Sequence, residues 1–282
     1  MKPPRFDLLR AESAAEVVDA LRERGDEARI LAGGQSLMTV LNMRLAAPAA
    51  LVDLTGCDDL RQVRVDGGAL VVGAAATQLA VERRGTLTAE VPLLAAALPW
   101  ISHQQVRSRG TVCGSIAHAD PAAELPLVIA TLGGAITLRN ARGRRTVAAA
   151  NFFTGMLSTV RAGDELIEDV RFPLAGGDAS AYAFTEFALR HGDFALVAIA
   201  VVRSTSGLRI GVGGVADRPV VRNFPLLAGS AIDDALNEIA WSLDTRDDPH
   251  MSAQGRRHLI RRLGRQAVAA TERPHAAAGS VH

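Results

Sequence analysis

The chain has 282 residues, 48% of them hydrophobic, and a formal net charge of +1, which gives no electrostatic footprint for nucleic acid. Lys2 is the only lysine, which excludes catalytic-lysine schemes, and Cys57 and Cys113 lack the clustering that zinc or iron–sulfur sites need. Two unpaired cysteines make a disulfide framework unlikely, so a reducing cytoplasm is expected. The charged residues within 5–12 exclude a signal peptide, and the apolar stretches are too short to span a membrane.

Apolar residues at helical spacing predict a helix over 13–24, with Gly25 as its C-cap. A short strand is predicted over 29–32, and Ser36 is predicted to cap a helix that runs to about residue 45. A further strand is predicted over 50–54. The first 55 or so residues are therefore expected to form a phosphate-binding β-α-β unit.

The middle of the chain alternates between hairpin and helix signals. Hairpins are predicted over 63–72 and 135–147, each around a turn of polar or glycine residues. A helix is predicted over 121–132, with Asp120 as its N-cap, and a strand is predicted over 166–172.

The run Ala175-Gly176-Gly177-Asp178 is predicted to be the domain boundary, because its glycines interrupt the periodic segments on either side. Beyond it the sequence predicts three strands, over 182–189, 195–202 and 208–215. Two helices are predicted to follow, over 232–240 and 251–269.

Two short glycine-containing segments are the strongest functional signal. They are Ala32-Gly33-Gly34-Gln35-Ser36, the first glycine segment, and Thr111-Val112-Cys113-Gly114-Ser115, the second glycine segment. Glycine tolerates a positive φ and lets a bound group approach the backbone, and successive N–H groups in a turn attract an anion. Together the segments indicate one phosphate-bearing ligand, with a diphosphate as the natural candidate. Either segment alone is also typical of a tight turn.

Longer motifs around these segments resemble a known family. Ile30-Leu31-Ala32-Gly33-Gly34-Gln35-Ser36-Leu37 resembles the first flavin-binding loop of the FAD-binding medium subunits of molybdenum hydroxylases, of the carbon monoxide dehydrogenase and xanthine dehydrogenase type. The runs at 105–115 and 116–126 are similar to the second loop and its continuation. Further similar segments follow in order at 152–155, 164–167, 186–195 and 247–263, so the resemblance extends nearly end to end.

The resemblance implies an α+β fold. A two-lobed FAD-binding domain of the PCMH type is expected over 1–176, with lobes at about 1–55 and 56–176. A smaller α/β domain, with a three-stranded sheet and helices, is expected over 177–282. The resemblance also implies that both glycine segments wrap the FAD pyrophosphate, with Ser36 and Ser115 adding hydroxyl hydrogen bonds.

Three further cofactor-binding residues are implied by the resemblance. Glu124 stands where relatives often carry an aspartate near the ribityl–adenine portion of FAD, and a solvated carboxylate in a first helical turn is the alternative. Ile167 stands where relatives place an aliphatic residue against the isoalloxazine, and an ordinary core residue is the alternative. Glu186 is lysine in some relatives and acidic in others, and a carboxylate there would disfavour an anionic reduced flavin.

Cys113 departs from the glycine that relatives commonly carry, which predicts that this position does not need a positive φ. A buried inert thiol is favoured over a redox role. His103 and His118 flank the second glycine segment without being assigned to the site. Arg107 and Arg109 are candidates either to neutralise phosphate or to face a partner.

The resemblance implies an electron-transfer flavoprotein subunit. In the family, a molybdenum-cofactor large subunit oxidises the substrate and a small subunit with two [2Fe-2S] clusters passes electrons to the FAD subunit, which delivers them to an external acceptor. The alternatives are a self-contained flavin-dependent oxidase or dehydrogenase, and a scaffold that has lost FAD. The sequence assigns no catalytic residue, metal ligand, substrate or acceptor to this chain.

Overall fold

A computed structural model describes residues 2–176 and 179–272. In these ranges the chain forms three larger sheets, a two-stranded ribbon and ten α-helices, which confirms the mixed helix-and-sheet class. None of the helices in the described part is long and apolar enough to cross a membrane. The predicted domain boundary includes Gly177 and Asp178, which lie outside the described residues, so the division of the chain into domains stays a prediction.

The first sheet is parallel, with the strand order β1-β3-β2. Its strands and connecting helices are β1 (Asp7–Arg10), α1 (Ala14–Arg24), β2 (Ala28–Leu31), α2 (Leu37–Asn42) and β3 (Ala50–Asp53). The Ser13 hydroxyl caps α1 by accepting the N–H of Glu16, and Gly25 is the C-cap, as predicted. The predicted β-α-β unit is thus confirmed, and the first glycine segment joins β2 to α2. Strand β1 was not predicted because most of its residues are exposed and show no apolar alternation.

The second sheet is antiparallel and has the strand order β4-β5-β10-β6-β7. The strands between residues 63 and 173 are β4 (Val63–Asp66), β5 (Ala69–Gly73), β6 (Ala135–Asn140), β7 (Gly143–Ala148), β8 (Phe153–Gly155), β9 (Ser158–Thr159) and β10 (Leu166–Pro173). Both predicted hairpins and the strand β10 are confirmed. The strands β8 and β9 form the separate ribbon.

Six short helices lie between β5 and β6: α3 (Gln78–Glu82), α4 (Leu87–Glu90), α5 (Pro92–Ala97), α6 (Gln104–Arg107), α7 (Val112–His118) and α8 (Glu124–Leu132). The predicted N-cap at Asp120 is wrong, because α8 begins later, at Glu124. The Asp120 carboxylate instead accepts the N–H of Ala122 at 2.9 Å, an Asx turn that holds the chain non-helical before α8.

The third sheet is antiparallel, in the order β11 (Ala179–Phe187), β12 (Val197–Ser204), β13 (Leu208–Gly213) and β14 (Val220–Phe224). The helices α9 (Ser230–Ser242) and α10 (Ala253–Glu272) follow it. The three predicted strands and both helices are confirmed, and β14 makes the sheet four-stranded. Strand β14 gave no signal because its short sequence is half-exposed and lacks apolar alternation.

Strand β12 is buried on both faces and separates two hydrophobic cores. Ala198 and Ala200 belong to the core shared with the first two sheets, whereas Val197 and Ile199 belong to the core covered by α9 and α10. Residues directly opposite each other in an antiparallel pair share one face of the sheet. Glu186 lies opposite Ala198, so its side chain faces the first core, where α5 and α8 pack against the third sheet.

Candidate functional site

The two glycine segments meet in the folded chain. A Cβ atom built on Gly33 would lie 2.2 Å from the carbonyl oxygen of Arg109 and 2.7 Å from Cα of Gly110, which no larger residue tolerates. A Cβ atom on Gly114 would lie 3.8 Å from Cβ of Ala32. Glycine at position 33 is therefore required so that the first segment can lie against the backbone that enters the second.

A tertiary contact holds the second glycine segment in place. Thr77 and Thr111 form an isolated antiparallel bridge, flanked by two backbone hydrogen bonds. The Gln78 N–H donates to the Gly110 carbonyl at 2.8 Å, and the Val112 N–H donates to the Ala76 carbonyl at 3.2 Å. Residues 76–78, which follow β5, thus hold residues 110–112 in place through backbone hydrogen bonds.

The first glycine segment is a tight turn whose amides are free of protein acceptors. Gly34 has a φ of +73°, and the Gln35 side chain donates to the Gly33 carbonyl at 3.0 Å. Within the described residues, the backbone N–H groups of Gly33, Gly34, Gln35 and Ser36 have no acceptor. Four consecutive unpaired donors make a concavity suited to phosphate oxygens, so this segment fits the diphosphate of FAD.

Ser36 does not cap α2 as the sequence predicts. Its backbone is already helical, with a φ of −89°, and its side chain makes no capping hydrogen bond. An effective N-cap has an extended backbone, which aims the hydroxyl at the N–H groups of the first turn. The Ser36 hydroxyl is consequently not used by the helix.

The second glycine segment is the first turn of α7 rather than an open loop. The Thr111 hydroxyl accepts the Gly114 N–H at 2.9 Å, and the Thr111 carbonyl accepts the Ser115 N–H at 3.2 Å. In the described part of the chain, the N–H of Cys113 has no acceptor. This segment therefore offers the positive end of a helical turn, with fewer free amides than the first.

Cys113 has helical backbone and no positive φ, which confirms the expectation for this position. Its side chain is 3% exposed, and its thiol donates to the Val72 carbonyl with a sulfur–oxygen distance of 3.4 Å. Burial raises the pKa of this thiol far above its ordinary value. Such a thiol is inert, because the thiolate is the reactive form.

The two arginines near the second segment differ in their surroundings. The Arg107 guanidinium forms a bidentate pair with Glu82, at 2.9 and 3.0 Å, and also donates to the Ile101 carbonyl. The Arg107 guanidinium thus links α6 to α3, and the Glu82 carboxylate neutralises its charge. Arg107 is therefore not available as a phosphate ligand. Arg109 is exposed, and its backbone carbonyl lies against Gly33.

Ile167 lies in β10 and is only 4% exposed. It belongs to the core, and α7 packs against its strand. This position agrees with the alternative that Ile167 is an ordinary core residue. A contact between its side chain and the isoalloxazine of FAD stays a prediction.

Glu124 and Glu186 are both buried, 6% and 7% exposed, in the contact between α8 and the third sheet. Among residues 2–176 and 179–272, neither carboxylate oxygen of Glu186 has a hydrogen-bond partner. Burial, with the negative charge of Glu124 adding to it, raises the pKa of Glu186 to about 8. Burial likewise raises the pKa of Glu124 to about 7, so the alternative of a solvated carboxylate at Glu124 is wrong.

Sequence reasoning missed Gln78 as a residue beside the second segment. Its side chain is 5% exposed, and its Oε1 has no hydrogen-bond partner in the part of the chain that the structure describes. That oxygen would lie 3.2 Å from a Cβ atom on Gly110. No local sequence pattern predicts that Gln78 lies beside Gly110, because this contact depends on the long-range bridge between Thr77 and Thr111.

Known proteins match the chain along nearly its whole length. Residues 4–175 match the family described as "FAD binding domain in molybdopterin dehydrogenase". The nicotine 6-hydroxylase medium subunit of Paenarthrobacter nicotinovorans is 36% identical over 94% of this chain and 97% of its own. The caffeine dehydrogenase subunit beta of a Pseudomonas strain is 34% identical over 95% of each chain.

Solved structures agree with these sequence matches. A chain of quinoline 2-oxidoreductase from Pseudomonas putida 86 is 33% identical, with a TM-score of 0.89, over 96% of this chain and 99% of that one. A chain of carbon monoxide dehydrogenase from Hydrogenophaga pseudoflava is 29% identical, with a TM-score of 0.91 and the same coverage. With its paired glycine segments and these end-to-end matches, the chain belongs to the FAD-binding subunits of the molybdenum hydroxylase family of oxidoreductases.

Proposed function

We propose that this chain is the electron-transfer subunit of a molybdenum hydroxylase complex. It accepts electrons from iron–sulfur clusters and passes them through FAD to an external acceptor. The observation that carries the proposal is the meeting of the two glycine segments, which presents unpaired amides for a diphosphate. The medium-subunit and medium-chain names of relatives that match end to end support a role inside a larger assembly.

The residues of this chain bind and place the cofactor, and the bound FAD supplies the ability to accept single electrons and release a pair. The free N–H groups of Gly33 to Ser36 hold the phosphate oxygens. The N–H of Cys113, in the first turn of α7, would add a further donor. The hydroxyls of Ser36 and Ser115 complete the polar contacts.

The proposed partners are a molybdenum-cofactor large subunit and a small subunit with two [2Fe-2S] clusters. In this arrangement the large subunit oxidises the organic or gaseous substrate, and no substrate pocket is needed in this chain. A cytoplasmic location is part of the proposal. It is supported by Cys57 and Cys113, which are buried free thiols of the kind that a reducing compartment preserves.

The first test is the visible spectrum of the purified full chain after incubation with FAD and removal of the excess. We expect a resolved flavin spectrum, with FAD released intact on denaturation. A chain that retains no flavin, alone or co-expressed with its partners, contradicts the proposal and favours the scaffold.

The second test separates the subunit from a self-contained enzyme. The FAD-loaded chain is mixed with candidate organic substrates, first alone and then within the co-expressed complex. We expect bleaching of the flavin only in the complex. Bleaching of the isolated chain by a substrate would instead establish a flavin-dependent oxidase or dehydrogenase.

A further inference from the structure

Gln78 carries a buried hydrogen-bond acceptor that the protein leaves unpaired. Its side chain is 5% exposed, and no donor within residues 2–176 and 179–272 reaches its Oε1 atom. A buried polar atom without a partner costs free energy, because it gives up its hydrogen bonds to water and gains none in exchange. An unpaired polar atom in a folded interior therefore calls for a reason, and a group supplied by a ligand is one such reason.

The backbone holds Gln78 in a fixed position. Gln78 is the first residue of α3, and the Thr77 hydroxyl caps this helix by accepting the Ala80 N–H at 3.1 Å. The Gln78 N–H donates to the Gly110 carbonyl at 2.8 Å. The side chain thus starts from a backbone that is tied both to its own helix and to the chain that enters the second glycine segment.

The unpaired oxygen lies where the two glycine segments meet. The Gln78 Oε1 atom would lie 3.2 Å from a Cβ atom on Gly110. The Cα atom of Gly110 would in turn lie 2.7 Å from a Cβ atom on Gly33. Gly110 therefore packs both against the Gln78 amide and against the first glycine segment, whose N–H groups are the phosphate donors of the proposed site.

The adjacent backbone does not supply the missing donor. The N–H groups of Arg109 and Gly110 both donate to the Val106 carbonyl, at 3.1 and 2.7 Å. A phosphate oxygen is an acceptor and cannot pair with another acceptor. A hydroxyl group is a donor, and FAD carries hydroxyl groups on both sides of its diphosphate, on the ribityl chain and on the ribose of its adenosine half.

We propose that Gln78 is a further cofactor-binding residue, whose side-chain oxygen accepts a hydrogen bond from a hydroxyl group of FAD next to the diphosphate. This inference rests on the proposed function, because it concerns how the same site holds FAD. As the cofactor settles between the glycine segments, it displaces the atoms that cover Oε1. The hydrogen bond from the hydroxyl then offsets the cost of the buried acceptor.

Gln78→Met tests this role, because methionine is similar in length to glutamine but lacks the amide oxygen. The measurements are the melting temperature of the FAD-free full chain and the dissociation constant for FAD by calorimetry. We expect the variant to melt about 2–6 °C higher, because a buried unpaired acceptor is gone, and to bind FAD about tenfold more weakly. The matched control is Gln266→Met, at an exposed position of α10, which should leave both quantities at their wild-type values.

The two measurements separate ligand binding from packing. A residue that only packs against Gly110 would lose stability and affinity together, so a lower melting temperature with weaker FAD binding overturns the inference. An unchanged dissociation constant in Gln78→Met also overturns it and leaves the proposed function intact. A wild-type chain that retains no FAD overturns the proposed function and the inference together.

Fragments of the cofactor identify which hydroxyl group is bound. FMN carries the ribityl chain and ADP carries the ribose, and each has a phosphate for the glycine segments. An affinity difference between the wild type and Gln78→Met that is seen with FMN assigns the ribityl chain, and one seen with ADP assigns the ribose. Wild-type affinity of Gln78→Met for FAD, FMN and ADP alike overturns the inference.

Discussion

Glu186→Gln removes a buried ionisable group while keeping its shape, and its effect on stability should depend on pH. Burial raises the pKa of Glu186 from an ordinary 4.5 to about 8. At about 1.4 kcal/mol per pKa unit, this shift corresponds to on the order of 5 kcal/mol, an upper value because relaxation and water entry reduce it.

The sign of the effect follows from which state binds the proton. Below pH 4.5 the Glu186 carboxyl is protonated in both the folded and the unfolded chain, so its contribution to stability is fully present. As the pH rises from 4.5 to about 8, the unfolded chain ionises and the folded chain does not, so wild-type stability falls. Glutamine cannot ionise, and the variant should therefore gain on the wild type as the pH rises.

The assay is urea unfolding of the full chain, followed by tryptophan fluorescence, at pH values of about 5.5, 7 and 8.5. We expect the midpoint of Glu186→Gln to move above that of the wild type towards the alkaline end. Glu165→Gln should show the opposite sign at neutral pH, because Arg145 holds the pKa of Glu165 below its usual range. Parallel pH profiles for the wild type and Glu186→Gln would refute the reasoning.

Three further predictions follow from single contacts. Gly33→Ala should weaken FAD binding by at least tenfold in calorimetry, because its Cβ atom would lie 2.2 Å from the Arg109 carbonyl oxygen. The control Gly85→Ala should bind FAD normally, because a Cβ atom there has no neighbour within 4 Å. Equal affinities of the two variants would count against the contact between the glycine segments. Thr111→Ala removes the cap of α7 and should lower the free energy of unfolding by about 1 kcal/mol, seen as a lower melting temperature; an unchanged melting temperature would contradict this. Both cysteine thiols should be unreactive to a disulfide reagent in the native chain and fully reactive after denaturation, because both are buried; rapid native labelling of Cys113 would contradict its assignment as an inert thiol.

Local sequence determined most of the elements, because the energies that form them act between near neighbours. The helix over 13–24 and its C-cap at Gly25 were predicted from the sequence alone, since a cap involves only residues one turn away. The apolar run of β12 likewise predicted a strand, and the structure then showed that this strand is buried on both faces. Strand β1 stayed hidden because its ladder partner, β3, lies far along the chain and supplies the stabilisation.

The type of side chain was a weaker guide to helix N-caps, because the same side chain can serve another local role. Asp120 has the side chain of an N-cap, but an Asx turn to Ala122 uses its carboxylate before the helix begins. Ser36 occupies the cap position of α2, but its backbone is already helical. In both cases the path of the backbone, and not the residue type alone, decided whether the side chain caps the helix.

The candidate site was only half determined by sequence. The glycine composition of both segments, and the motifs around them, indicated a diphosphate ligand and the FAD-binding family, because backbone access to phosphate needs residues without a Cβ atom. The fold alone decided that Gly33 lies against Arg109 and that Glu124 and Glu186 share one interior. Burial and proximity arise from contacts between distant segments, so whether a carboxyl group is charged or neutral is settled by tertiary structure and cannot be inferred from its neighbours in the chain.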